Sequence, residues 1–398
     1  MPDTEVLVVG GGPAGMMAGY LFARAGIRTQ VIEKHGDFLR DFRGDTVHPS
    51  TLDLFDELGL LDRLLARPHD RMTYLGAMIG GQEMRVADFT HLPGRGRFVA
   101  MMPQWEFLDF LAGEARTLPA FALSTRAEAI GLIEEGGRIV GVTLADGGTI
   151  RAKLVIAADG RGSVLRAAAR LPLRDLGAPI DVLWFRVPKM TTPENRTTLV
   201  AGRGQFVVLI DRGEYWQCAR VIPKGQADAV RARGIDAFRA DVVEAAPQLG
   251  EAVSVLRDWN DVKLLSVSLD RLELWHRPGL LAIGDAAHAM SPVGGVGINL
   301  AIQDAVAAAN ILAGPMRSGA DIDALLSRVR TRRIMAVAGI QAMQRFVHRK
   351  VLGAALDGKA LKPPAALRLL DAMPLLQRLP ARVVGLGIRR EHIRSPKA

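Results

Sequence analysis

Thr4-Glu5-Val6-Leu7-Val8-Val9-Gly10-Gly11-Gly12-Pro13-Ala14-Gly15 is the stretch on which the fold turns. Glu5–Val9, apolar from Val6 on, reads as a short buried strand, the three glycines as a tight turn, and Pro13–Ala25 as a helix stopped by Gly26. Arg28–Glu33 is a second β-rich run, which completes the strand–helix–strand unit of a parallel sheet. Glycines in such a turn let a pyrophosphate approach the free amides and the positive dipole end of the helix. Glu33 lies eighteen residues beyond Gly15, where an acid accepts hydrogen bonds from a ribose diol. A bare GxGxxG among 42 glycines would be weak; its position between two strands makes a dinucleotide site the expectation over a structural turn.

Beyond that unit, helical patterns fall near Pro49–Leu58 and Gln104–Arg116, separated by strand-like Met72–Ile79, Met84–Phe89 and Phe98–Met101. From Ala127 to Ala157 β-branched runs alternate with Glu135-Gly136-Gly137 and Asp146-Gly147-Gly148, the pattern of antiparallel hairpins. Ile180 to Ser268 repeats that style around a helix at Asp236–Ala246 and reads as a second, mainly antiparallel unit. A short strand at Leu280–Ile283 precedes helices over Gly297–Leu312, Asp321–Lys350 and Ala365–Leu379, the last broken near Pro374. The expected architecture is α/β: a discontinuous Rossmann-like domain (1–73, 98–179 and 270–350), an inserted antiparallel substrate domain (74–97 and 180–269), and a helical C-terminal segment (351–398).

Length and composition agree. The 398 residues allow two domains, and 49% hydrophobic with 23% charged residues is ordinary globular usage. A single cysteine, Cys218, excludes an intramolecular disulfide, a Cys-based zinc cluster and a CxxC centre, and suits a cytoplasmic setting. The net charge of +9 is dispersed, with no Lys/Arg run or Cys/His finger, so nucleic acid is not an expected partner. No basic leader precedes the first apolar run, so export is not expected, and the polar and glycine interruptions between Ala286 and Gln303 argue against a membrane span there.

Two further constellations follow short strands. Asp159-Gly160-Arg161-Gly162-Ser163-Val164-Leu165-Arg166 comes after Leu154–Ala157, and alone is compatible with a plain strand-to-helix turn. Gly284-Asp285-Ala286-Ala287-His288 comes after Leu280–Ile283 and runs on into Pro292-Val293-Gly294-Gly295-Val296-Gly297-Ile298-Asn299. Alone, the latter reads equally as a capped helix entrance. In this order, however, GxGxxG, DGxxSxxR and GD with a downstream PxxGxG resemble the class A flavoprotein monooxygenases, the para-hydroxybenzoate hydroxylase-like group, over Val6 to Asp304.

The resemblance implies that Gly10, Gly12, Pro13, Ala14, Gly15, Glu33 and Lys34 hold the adenosine half of FAD, that Asp159, Gly160 and Arg161 serve FAD and nicotinamide docking, and that Gly284 and Asp285 reach the ribityl chain. Pro292, Gly294, Gly295, Val296, Gly297, Ile298 and Asn299 would border the isoalloxazine, while Arg43 and Gln104 resemble further FAD contacts whose plain readings are a surface arginine and a helix cap. It implies an FAD-dependent hydroxylase in which NADPH or NADH is the transient reductant, O2 adds to the flavin, and the hydroperoxide transfers hydroxyl to an aromatic, polyketide or quinone-like substrate. The rival readings are an FAD-dependent dehydrogenase or reductase without oxygen insertion and a nucleotide-binding scaffold without turnover. A second GxGxxG and the halogenase GWxWxIP pattern are both missing from the sequence. His48, Tyr74, His91, Tyr215 and His276 are the available candidates for a base, none singled out. Trp184, Phe185, Phe206 and Trp216 read mostly as packing residues of the second unit. The leucines and arginines from Leu367 to Arg394 suit packing on the FAD domain ahead of a peripheral membrane contact.

Overall fold

The computed structural model describes residues 2–39, 45–79, 82–190, 198–202, 205–349 and 365–398. Along the chain the first elements are β1 (Thr4–Val9), α1 (Pro13–Arg24), β2 (Thr29–Glu33), β3 (Thr46–Val47), α2 (Pro49–Glu57), α3 (Leu61–Leu65), β4 (Asp70–Met72), β5 (Tyr74–Ile79), β6 (Gln82–Asp88), β7 (Val99–Met101) and α4 (Gln104–Arg116). There follow β8 (Phe121–Thr125), β9 (Ala129–Glu135), β10 (Arg138–Leu144), β11 (Thr149–Ala157), α5 (Val164–Ala168), β12 (Leu173–Asp175), β13 (Ile180–Pro188), β14 (Thr198–Gly202), β15 (Gln205–Asp211) and β16 (Tyr215–Pro223). The remainder comprises α6 (Ala227–Ala232), α7 (Ile235–Ala245), β17 (Lys263–Leu265), β18 (Asp270–Leu272), β19 (His276–Arg277), β20 (Leu280–Ala282), β21 (His288–Ala289), α8 (Gly297–Arg317), α9 (Asp323–Val347) and two C-terminal helices, Ala365–Ala372 and Pro374–Gly385.

The first sheet runs β19-β20-β11-β1-β2-β8, with parallel pairing from β20 to β8. Val6, Leu7 and Val8 have no exposed surface, because a parallel strand is covered on both faces and can be apolar throughout. Pro13 opens α1, where its missing N–H costs no hydrogen bond; Gly26 (φ +78°) ends it, and Ile27 N–H reaches back to the Phe22 carbonyl at 3.2 Å. The run expected to form hairpins does so in β9–β10–β11, but β11 then continues into the parallel sheet beside β1, since Leu154–Ala157 is apolar enough to be buried on both faces.

The second sheet, β17-β13-β16-β15-β14-β5-β6, is antiparallel except for β14 against β5. Its strands β13, β15 and β16 alternate faces strictly. Leu183, Phe185, Val187, Val207, Leu209 and Cys218 pack outward under α6 and α7, while Val182, Phe206, Ala219 and Val221 form a separate inward cluster. Burial pushes the Cys218 thiol up, so it serves as a small apolar side chain.

The C-terminal helices lie against β6 rather than on the first sheet: Ala381 and Leu386 join Ala87, Phe89 and Ile210 in one apolar cluster. The helix Pro374–Gly385 also touches the first unit, through Val383 and Val384, and the final stretch crosses it. There Gln303 and Asn310, two turns apart on α8, act as side-chain partners for its backbone: Glu391 N–H donates to Gln303 Oε1 (3.1 Å), Arg394 N–H to Asn310 Oδ1 (2.7 Å), and Asn310 Nδ2 to the His392 carbonyl (2.7 Å). Among the described residues, Val293–Arg317 alone is long and apolar enough to cross a membrane, and 83% of its apolar window is buried inside the protein, as for a core helix.

Candidate active site

At the β1–α1 turn, a Cβ on Gly10 would stand 2.3 Å from the Ala158 carbonyl oxygen, and one on Gly15 would stand 1.9 Å from the Gly10 carbonyl oxygen. The turn is therefore pressed onto the end of β11 and onto its own helix. Gly12 differs, since a Cβ there would meet no atom within 4 Å. Gly12 is the N-cap of α1 without a side-chain cap, and no acid sits in the first turn beside Pro13, Ala14 and Gly15. Glu33 closes the turn: its Oε2 accepts from Gly11 N–H (2.8 Å) and its Oε1 from His35 N–H (3.0 Å). Lys34 beside it is exposed.

The two later motifs are laced together next to this turn. Arg161 Nε donates to Asp285 Oδ2 at 3.1 Å, and Arg166 donates to the Arg161 carbonyl (2.6 Å) and the Ala286 carbonyl (3.3 Å). A Cβ on Gly284 would lie 2.9 Å from Ala14 Cβ, so the third motif abuts α1 directly. Arg161 Nη1 is buried without a hydrogen-bond partner. Asp159 faces its own helix: it accepts from Ser163 Oγ (2.6 Å) and Leu165 N–H (3.2 Å), fixing the entrance of α5 immediately after Gly160.

In the segment Pro292–Asn299, Val296 N-caps α8 without a side-chain cap and with no acid in the first turn, so Gly297 and Ile298 open a second bare helix start. The Gly295 carbonyl accepts from Thr46 Oγ1 (2.9 Å), which also fills the space where a Cβ on Gly295 would stand. Asn299 is buried and committed to the protein: its Oδ1 accepts from His48 N–H (2.9 Å) and Thr51 Oγ1 (2.7 Å), leaving its backbone to face the segment. Gln104 begins α4, and its N–H donates to Asp45 Oδ1 (3.2 Å). Asp45 Oδ2 pairs with Arg212 at 2.5 Å, both side chains under a tenth exposed, which ties the β15–β16 turn to the start of α4. Arg43 lies outside the described residues.

Sequence reasoning missed the group beneath the GD motif. Asp304 on α8 has no exposed surface and receives Gly284 N–H (3.1 Å), His288 Nε2 (2.6 Å) and Arg333 Nε (2.9 Å). Burial alone would raise the Asp304 carboxyl, but the His288 ring and the Arg333 guanidinium hold it below the usual range. The available signal was a lone charge in an otherwise uncharged run from Gly294 to Met316.

Among the candidate bases only His48 reaches this region. Tyr74 and Tyr215 carry the guanidinium groups of Arg85 and Arg186 over their rings, His91 pairs with Asp88 at the surface, and His276 lies beside Arg330. His48 is buried, and its Nδ1 donates to the Val384 carbonyl at 2.8 Å. Burial pushes the imidazole down to about 4, although the Val384 and Gly295 carbonyls favour its charged form. The unfolded chain therefore binds the extra proton first, and stability falls as pH drops from near 6.5 toward 4. Between pH 7 and pH 5 His48 is expected to account for about 2 kcal/mol of lost stability, and denaturant melts of His48→Gln should show a correspondingly flatter pH dependence.

Opposite this segment stands the inner face of the second sheet. Val293 joins the cluster of Val182, Phe206, Ala219 and Val221, and half-buried Trp184 and Val208 continue it toward Met101. Of the four aromatic residues noted in the sequence, Trp184 and Phe206 face inward, whereas Phe185 and Trp216 pack in the outer layer.

A family described as FAD binding domain matches residues 3–343. The 6-methylpretetramide 4-monooxygenase of Streptomyces rimosus is 33% identical over 371 residues, covering 92% of this chain and 88% of that protein. The dialkyldecalin synthase of Streptomyces rugosporus is 26% identical over 326 residues, 77% of this chain but only 64% of that longer protein. Among solved structures, PqsL, a probable FAD-dependent monooxygenase from Pseudomonas aeruginosa, superposes with a TM-score of 0.76 at 21% identity over 89% of this chain and 98% of that one, and so shares the fold.

Proposed function

Since the chain belongs to the FAD binding domain family and is an FAD-dependent monooxygenase of the aromatic hydroxylase type, we propose that it uses NAD(P)H and O2 to hydroxylate an aromatic, polyketide or quinone-like small molecule. The observation that carries the substrate class is the apolar inner sheet face, with Trp184, Phe206 and Val208 turned toward Val293 of the glycine-rich segment.

The residues present suit FAD. The bare start of α1 with its open space at Gly12 suits a pyrophosphate, Glu33 is placed at the turn for a ribose, and Arg161 carries a buried donor with no protein partner. Gly10, Gly12, Pro13, Ala14, Gly15, Glu33 and Lys34 are assigned to the adenosine half, Asp285 with Gly160 and Arg161 to the middle of the cofactor, and Gly284 and Asp159 to shaping that wall. When bound, FAD supplies the electron transfer and oxygen activation. The protein residues do the rest. The uncapped amides at Gly297 and Ile298 offer positive potential to developing negative charge on the ring. Thr46 and Asn299 hold the Gly295 carbonyl, within the run of Pro292, Gly294 and Val296 that forms this wall. Val182, Phe206 and Val221 exclude water and orient an apolar ring, which limits unproductive loss of the reactive oxygen as peroxide. His48 stays neutral at physiological pH, with Nδ1–H committed to Val384 and Nε2 deprotonated beside the segment.

The deciding experiment is turnover of phenolic and polyketide-like substrates under isotopically labelled O2. One labelled atom in the product is expected, with NAD(P)H oxidation accelerated and peroxide yield reduced by a correct substrate. Unlabelled product formed equally well without O2, given another electron acceptor, would establish the dehydrogenase reading instead.

A further inference from the structure

One face of α9 carries the polar side chains that hold the chain between the GD motif and the glycine-rich segment. Arg333, Gln341, Gln344 and His348 follow at spacings of eight, three and four residues, which places them on one side of the helix, and all four are buried. Their partners run in step with them. Arg333 meets Asp304, which in turn receives Gly284 N–H and His288, and Gln341 Nε2 donates to the Asp270 carbonyl (2.8 Å) and the Ala289 carbonyl (3.2 Å). Gln344 holds the next stretch: its Oε1 accepts from Ser291 N–H (3.1 Å), and its Nε2 donates to the Ser291 carbonyl (2.9 Å) and the Val293 carbonyl (2.9 Å). Ser291 Oγ accepts from Val293 N–H (3.3 Å) and lies 2.9 Å from His348 Nε2. Burial pushes the His348 imidazole down, so the ring is neutral, and its Nδ1 has no partner among the described residues. The Ser291 contact is therefore what holds the ring, and either tautomer leaves one donor of the pair unmet. An apolar residue at position 344 would fill the space but leave three backbone groups of Ser291 and Val293 unpaired.

Resting on the assignment of Pro292–Asn299 to the isoalloxazine, we propose that Gln344 and His348 are positioning residues for the flavin ring. Through Ser291 and Val293 they set where the bare start of α8 stands against the ring, and with it the balance between oxidised and reduced flavin. Val293–Gly295 is one short turn and Val296 then caps α8, so a shift at Val293 reaches the helix start directly. The amides at that start favour the negative charge of the reduced ring, and their effect falls off within one turn, so displacing them weakens the reduced state more than the oxidised one.

The test poises FAD-loaded protein against a reference redox dye in the absence of O2, NAD(P)H and substrate, so its result does not depend on the hydroxylation reaction. At one fixed dye potential Gln344→Leu and His348→Leu should each lower the ratio of reduced to oxidised flavin about threefold, the scale of one helix-dipole interaction. His348→Gln, whose amide can reach Ser291, should restore the ratio. Gln341→Leu is the comparison: it unpairs the Asp270 and Ala289 carbonyls on the same helix face, so its melting temperature falls while the flavin ratio stays unchanged. Should Gln344→Leu fail to fold, Ser291→Ala, which removes only the hydroxyl, carries the same expectation as His348→Leu. An equal shift in Gln341→Leu, or no shift in the Gln344, His348 and Ser291 variants, would overturn the proposal. Ile298→Asp separates that failure from failure of the ring assignment, because a carboxylate at the start of α8 lowers the ratio only if the ring lies there. A shift in Ile298→Asp alone rejects the positioning role and keeps the ring at this segment; no shift in any variant rejects both.

Discussion

Asp304→Ala is expected to destabilise the protein by about 3 kcal/mol, because it takes one of two acids from a fully buried guanidinium, leaving Glu391 as the other, and removes an anchor of the GD motif. Arg333 has no exposed surface and its Nη2 lacks a partner, so without Asp304 it is left with Glu391 and the Arg389 carbonyl, both at Nη1. Equilibrium denaturation should give this loss, and the double variant Asp304→Leu/Arg333→Met should lose less than the sum of its single replacements, since it leaves no buried charge alone. The pH dependence carries the same signature. The Asp304 carboxyl is held below its unfolded value, so its contribution is present above about pH 4 and disappears as pH falls through the folded value. An additive double variant with an unchanged acid limb would show that the three groups do not act together.

Gly10→Ala and Gly12→Ala should separate fold from cofactor binding. At Gly10 the backbone is at φ +108° and a methyl group would stand 2.3 Å from a backbone carbonyl that cannot retreat, so about 1–3 kcal/mol of strain is expected in the apo-protein, together with loss of FAD. At Gly12 the methyl group meets nothing in the protein, so the apo-protein should melt normally while FAD affinity falls at least about tenfold, since the group would occupy the space assigned to the pyrophosphate. Thermal melts of the apo-proteins and fluorimetric FAD titration check both. Unchanged FAD affinity in Gly12→Ala would remove the pyrophosphate from that position.

The parts legible in the sequence were those written locally. Val6–Val9, the glycines and Pro13 specify strand, turn and helix within about twenty residues, and the break at Met373 before Pro374 follows from proline chemistry alone. What stayed hidden depends on partners distant in the chain. Arg333 and Gln341 on α9 are polar yet fully buried, because the segments they meet lie elsewhere in the sequence. Asp159 carried a motif identity, but the geometry spends its carboxylate on Ser163 and Leu165. The C-terminal leucines and arginines suited packing on the FAD domain, and the segment meets both units: Ala381 and Leu386 pack with Ala87 and Phe89, Val383 and Val384 against the first core.

The strict alternation of the second sheet bears on how such an enzyme can change its chemistry over generations. Along β13, β15 and β16 the residues that would touch a substrate interleave one for one with those that hold the sheet to α7. Phe206 can be exchanged while Val207 and Leu209 still hold the sheet to α7, so the cost of such a change is confined to the packing of the inner cluster. An insertion of a single residue in one of these strands has the opposite effect, exchanging the two sets at a stroke and placing scaffold side chains on the inner face. Selection can therefore explore this face by substitution, while length changes are confined to the turns.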